Sequence, residues 1–112
     1  MREGFYRLEY AGSQGAGFGL IVLDTNQVIG CDLSGGVFRG SYQWNTQTQQ
    51  FDVDATFTAT NPVQLVQGIS LQPGQQFSIK TSFSKDANGE VVPVQTNFGP
   101  VNARMTLIEP MP

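Results

Sequence analysis

Between Phe51 and Ala59 the chain alternates without a break: Phe51, Val53, Ala55, Phe57 and Ala59 are apolar, and Asp52, Asp54, Thr56 and Thr58 between them are polar. An extended strand sends successive side chains to opposite faces, whereas a helix would scatter these apolar positions around its axis. The segment therefore predicts a strand with one buried and one solvated face. The same period recurs in Phe77, Ile79, Thr81 and Phe83 against Ser78, Lys80 and Ser82, and in Val101, Ala103, Met105 and Leu107 against Asn102, Arg104 and Thr106. Near the start Tyr6, Leu8 and Tyr10 oppose Phe5, Arg7 and Glu9. The run from Phe18 to Leu23 is apolar on both faces, which predicts a strand in mid-sheet or one whose outer face packs on a neighbour.

Turn chemistry separates these runs at short intervals. Asp24-Thr25-Asn26, Asp32-Leu33-Ser34-Gly35-Gly36, Asn45-Thr46-Gln47-Thr48 and Asp86-Ala87-Asn88-Gly89 each lie between strand-like stretches. The Asn88-Gly89 pair suits the positive φ angles of a tight hairpin. Seven or eight antiparallel strands follow. A chain of 112 residues makes one compact domain, residues 1–112, and its hydrophobic fraction of 39% is enough to fill a core. Closing the sheet on itself would remove exposed strand edges, so the expected fold is all-β, a small antiparallel barrel of about eight strands.

Two stretches interrupt the pattern. Asn61-Pro62-Val63-Gln64-Leu65-Val66-Gln67-Gly68 offers a capping Asn, a Pro at a first helical position and a terminating Gly, and reads equally as a helix of one or two turns or as a short strand. Val91 to Pro100 carries Pro93 and Pro100, which predicts an edge strand or an irregular crossing.

Composition removes several function classes. The chain has no His, so imidazole bases, His-based nucleophilic triads and His metal sites are excluded, and the lone Cys31 excludes an intramolecular disulfide or a thiolate metal cluster. No metal or other cofactor is expected. A net charge of −3 repels nucleic acid and anionic membrane, and Arg2, Arg7, Arg39, Lys80, Lys85 and Arg104 are scattered singly. Neither a secretory leader nor a membrane span is visible, and the free thiol fits a reducing compartment, so a cytoplasmic location is expected.

The remaining catalytic motifs fail on context. Gly12, Gly15, Gly17 and Gly19 run into a strand rather than opening a helix, which argues against a phosphate-binding loop and for a loose connection leading into a bent strand. Asp52 and Asp54 share the polar face of their strand and read as solubility determinants. Cys31 has no neighbouring base to make it a nucleophile and reads as a small buried hydrophobe. A non-enzymatic protein is the expectation.

The aromatic residues carry what remains. Phe38, Tyr42 and Trp44 share one strand parity, and with Tyr6, Tyr10, Phe51 and Phe57 they are placed to line a barrel interior. A barrel of this size either fills with its own side chains or holds one small apolar ligand. In the second case Tyr6, Phe38, Tyr42 and Phe57 are the expected ligand-binding residues. Trp44 is also a candidate for the barrel rim or a partner surface.

Gly4-Phe5-Tyr6 opening the first strand, Gly15-Ala16-Gly17 before an apolar strand, Gly30-Cys31-Asp32, and Gly36-Val37-Phe38-Arg39-Gly40-Ser41-Tyr42 together resemble the GrlR family, negative regulators of type III secretion in proteobacteria. Pro62-Val63-Gln64-Leu65 is similar to that family's short mid-chain segment, and the resemblance runs over about the first 70 residues. It implies a dimeric barrel of lipocalin-like shape with an apolar interior, which represses by holding a transcriptional activator away from DNA. In the family an acidic loop holds the activator. The matching loop here, Asn45-Thr46-Gln47-Thr48-Gln49-Gln50, has no acid, and with Trp44 it forms the expected partner-binding site. Two functions are thus expected: a homodimeric protein-binding regulator, or a lipocalin-like carrier of a small apolar ligand.

Overall fold

The computed structural model describes residues 2–112. Eight strands close into an antiparallel barrel: β1 (Gly4–Gly12), β2 (Gly15–Asp24), β3 (Gln27–Asp32), β4 (Gly36–Asn45), β5 (Gln50–Ala59), β8 (Gln76–Phe83), β9 (Val91–Thr96) and β10 (Gly99–Pro110). Two further strands of two residues each, β6 (Val63–Gln64) and β7 (Ser70–Leu71), pair with each other in the connection between β5 and β8. The order around the barrel, β1-β10-β9-β8-β5-β4-β3-β2, follows the chain, and the first and last strands meet to complete the ring.

The alternation in the sequence sets which side chains enter the barrel. In β5, Ala55, Phe57 and Ala59 are buried, and in β10 Val101, Ala103 and Met105 are buried. Arg7, Arg39, Asp54, Lys80 and Arg104 are exposed at the intervening positions. An apolar inside and a largely polar outside is the reverse of a lipid-spanning barrel, which carries its apolar band outward. Turn geometry fixes the register. Thr25 and Asn26 both take positive φ, 49° and 65°, as a two-residue turn matched to strand twist requires.

One end of the barrel is closed by its own core. Tyr6 is 1% exposed and donates its hydroxyl hydrogen to the Arg2 carbonyl. Ala87, in the connection between β8 and β9, is buried there, and that connection is tied to β10 by Gly89 N–H donating to Met105 O at 2.8 Å and Leu107 N–H donating to Asn88 Oδ1 at 2.8 Å.

The other end is covered by residues 60–75. No helix forms in that segment. Val63 and Leu65 lie two residues apart and are both buried in the core with Leu71, a spacing that an extended chain serves and a helical turn does not. The strap is held by Gln14 N–H to Val66 O at 2.7 Å, by Thr60 N–H and hydroxyl to Gly35 O at 2.9 and 2.7 Å, and by Gln67 Nε2 to Thr96 Oγ1 at 3.2 Å.

The Pro-containing stretch departs from expectation in a different way. It is neither an edge nor an irregular crossing, because β9 pairs with β10 from Thr96 to Val91 and closes the ring. Its bond to β8 is the weak seam, limited to Ile79↔Thr96 and Lys80↔Gln95. Thr81 Oγ1 donates to Pro93 O at 3.3 Å, so Pro93 presents its backbone polar side to β8. The N–H that proline lacks therefore falls where the ladder has lapsed.

Candidate functional site

The interior is not filled. Between the closed end and the strap lies a cavity of about 470 Å³, within the range of small-molecule sites. Its wall is almost entirely apolar. Phe38, Phe57 and Phe77 form one side, with Phe57 edge-on to Phe38 at 5.0 Å and stacked on Phe77 at 5.0 Å. Leu8, Ile21 and Met105 face them from β1, β2 and β10, and Leu65 enters from the strap. Gly36 lets the aromatic side pack closely, since a Cβ there would lie 2.0 Å from Phe57 Cζ.

Phe18 and Leu33 border the same cavity while remaining 53% and 80% exposed. They mark its mouth, which lies between the start of β2, the β3–β4 turn and the Gln64–Gln67 side of the strap.

Of the four expected ligand-binding residues, Phe38, Tyr42 and Phe57 line the cavity, as do Tyr10 and Phe51. Tyr6 does not, because its ring is consumed in the packing of the closed end. Burial raises the phenol pKa of both Tyr6 and Tyr42 above the ordinary value; the Tyr42 charge adds to the rise at Tyr6, and Glu3 to that at Tyr42.

Cys31 and Asp32 fall on opposite faces of β3. Cys31 is exposed on the outside of β3, opposite Leu20 and Val37, and is not a buried hydrophobe. Asp32 shares the inward parity of Val28 and is 6% exposed at the cavity wall. Its Oδ1 accepts the Ser34 N–H at 2.6 Å and the Ser34 hydroxyl, while its buried Oδ2 has no hydrogen-bond partner among the described residues. The parity of Val28, Gly30 and Asp32 in the sequence already carried this placement; the charge of the residue hid it.

The expected partner-binding loop lies at the opposite, closed end. Trp44 is 39% exposed and packs edge-on against Phe51 at 4.9 Å. Asn45 Oδ1 accepts the backbone N–H groups of Gln47 and Thr48 at 2.9 and 3.2 Å, and Gln49 Nε2 donates to Thr46 O at 2.8 Å. Thr46, Gln47 and Thr48 are exposed, and Gln50 begins β5. The loop is thus spatially separate from the cavity mouth.

The remaining candidates sort by geometry. Gly17 and Gly19 lie within β2, where a Cβ would meet the Tyr10 ring at 2.4 Å and Cys31 O at 2.5 Å, so they serve close packing. Asp52 accepts hydrogen bonds from Asn45 Nδ2 at 2.9 Å and Ser82 Oγ at 2.8 Å, in that order of effect lowering its pKa. Asp54 approaches Lys80 Nζ at 3.9 Å on the outer face. Among the described residues no three His, Cys, Asp or Glu side chains converge as metal ligands.

No protein-family model matches the chain, and no curated protein matches it either.

Proposed function

We propose that this chain is a non-enzymatic carrier that holds one small apolar molecule inside its barrel. The observation that supports the reading is the apolar cavity of about 470 Å³, closed at one end by the Tyr6 packing and open beside Phe18 and Leu33. Burial of a ligand against this wall would release roughly 25 cal/mol for each Å² of apolar surface taken from water. The test is a fluorescence titration with N-phenyl-1-naphthylamine, a neutral apolar probe. Saturable binding at one site per chain is expected, weakened by Ala55→Leu, which extends a side chain into the cavity. A linear, non-saturating signal would refute the carrier.

A second reading, a homodimeric protein-binding regulator of the GrlR type acting on a transcriptional activator in the cytoplasm, is favoured by the outer face of β1, β2 and β3. There Phe5, Val22 and Ile29 lie side by side by register, with Leu20 beside Cys31 two residues along on the same face. Phe5, Leu20 and Ile29 are 39%, 36% and 44% exposed, and contiguous apolar surface of this kind is what subunit contacts cover. Native mass spectrometry checks it: a dimer that Ile29→Lys converts to a monomer supports the reading, and a wild-type monomer removes it. The partner-binding role of Trp44 and Asn45–Gln50 belongs to this reading. It predicts that Trp44→Ala with Gln47→Ala weakens capture of the activator without changing the fold.

A further inference from the structure

We infer that the ligand carries a hydrogen-bond donor, a hydroxyl or an ammonium group, at one end of an apolar body, and that Asp32 receives it. The inference rests on the carrier reading and adds the chemistry of the ligand's head.

Asp32 is the one buried acid among the described residues, and its two oxygens are treated differently. Oδ1 is engaged by the Ser34 N–H and hydroxyl, which fix the plane of the carboxyl group. Oδ2 is buried and has no hydrogen-bond partner among the described residues, on a side chain that lines the cavity. A buried acceptor left unpaired is costly, more so when charged, so the fold retains a cost that a donor arriving in the cavity would remove.

The other lining residues set the sign of the head. Among the described residues none of the cavity-lining side chains is Lys or Arg, and the polar side chains lining the mouth, Ser34, Gln64 and Gln67, are neutral. A fatty-acid carboxylate would meet an acid at the wall with no cation to offset it. An alcohol or a primary amine would instead donate to Oδ2, the amine by a charge-assisted bond. Asp32 ends β3 next to Leu33, which lies at the mouth, so the head would sit toward the entrance and the chain would run inward along Phe38, Phe57 and Phe77.

The experiment is displacement of N-phenyl-1-naphthylamine by three probes of equal chain length: 1-dodecylamine, 1-dodecanol and dodecanoate. They are compared on the wild-type protein and on Asp32→Asn, below the concentrations at which the probes form micelles. In the wild type the amine and the alcohol should displace the dye at concentrations about tenfold or more below dodecanoate. Asn keeps an oxygen for the Ser34 donors and turns an N–H₂ group toward the cavity. The variant should therefore bind the dye as the wild type does, lose the preference for the amine, and bind dodecanoate more tightly than the wild type.

Equal displacement by all three probes, or dodecanoate bound best by the wild type, overturns the inference and leaves the carrier standing. Absence of saturable dye binding to the wild type overturns both. A wild-type preference for the amine that Asp32→Asn leaves unchanged, with dye binding retained, places the recognising group elsewhere and also overturns the inference.

Discussion

Replacing Phe57 by Ala tests whether the aromatic wall is a packed structure that happens to border a void. Phe57 is 2% exposed, and its ring touches Phe38 edge-on and stacks on Phe77, both with centroids at 5.0 Å. Truncating a buried Phe costs about 3–5 kcal/mol, and each aromatic contact carries about 0.5–1.5 kcal/mol beyond its area. The ring also borders a cavity that already exists, so fewer atoms lose a neighbour than in a filled core, and the cost belongs at the lower part of that range, about 3–4 kcal/mol. With an unfolding entropy of about 2.1 cal/mol/K per residue, a chain of this length loses about 4 °C for each kcal/mol, and the thermal midpoint should fall by about 12–16 °C. Circular-dichroism melting measures this, with urea unfolding as an independent check. Ile108, which is 59% exposed, provides the control, because Ile108→Ala should stay within about 0.5 kcal/mol of the wild type. A loss below about 1 kcal/mol for Phe57→Ala would refute the packing argument.

Gly36→Ala places a methyl group 2.0 Å from Phe57 Cζ and should cost about 1–3 kcal/mol in urea unfolding, a penalty that shrinks in a Phe57→Leu background if the ring is the obstacle. Tyr6 and Tyr42 have raised pKa values, so the unfolded chain loses their protons first; stability should be full below about pH 10 and decline as pH rises from there through the folded values. Tyr6→Phe should flatten that alkaline decline in denaturant titrations at successive pH values. Asp52 has a lowered pKa, so its contribution is present above the ordinary carboxyl value and is lost as pH falls through the lowered one. Asn45→Ala removes the larger of its two donors, and NMR titration of the Asp52 carboxyl carbon should show it protonating at higher pH than in the wild type.

The barrel was legible in the sequence because strand parity is a local property. Phe51 to Ala59 and Val101 to Leu107 write their inward and outward faces into neighbouring positions, and Asp24-Thr25-Asn26 and Asn88-Gly89 mark where the chain must reverse. Phe38, Tyr42 and Phe57 could be assigned to the interior on the same ground.

What parity cannot give is depth along the barrel. Tyr6 and Phe57 both point inward, yet Tyr6 is used up at the closed end and Phe57 borders the cavity, because the distance of each from the two ends depends on the register of strands far apart in the chain. The strap was ambiguous for a related reason: its Asn, Pro and Gly suit a helix, and only the need to bury Val63, Leu65 and Leu71 over the barrel end selects the extended form. Pro93 is tolerated because the missing N–H coincides with the lapsed β8–β9 ladder, a fact of pairing that no local pattern records. Whether eight strands enclose side chains or a cavity depends on how inward volumes sum across all of them, with Ala55, Ala103 and Gly36 set against the phenylalanines. The sequence by itself determined the strands, their faces and the turns, since these follow from φ preference and a two-residue period. The tertiary structure alone decided the cavity, its mouth and the Asp32 oxygen left without a partner among the described residues, because each of these is a sum over residues that meet only when the ring closes.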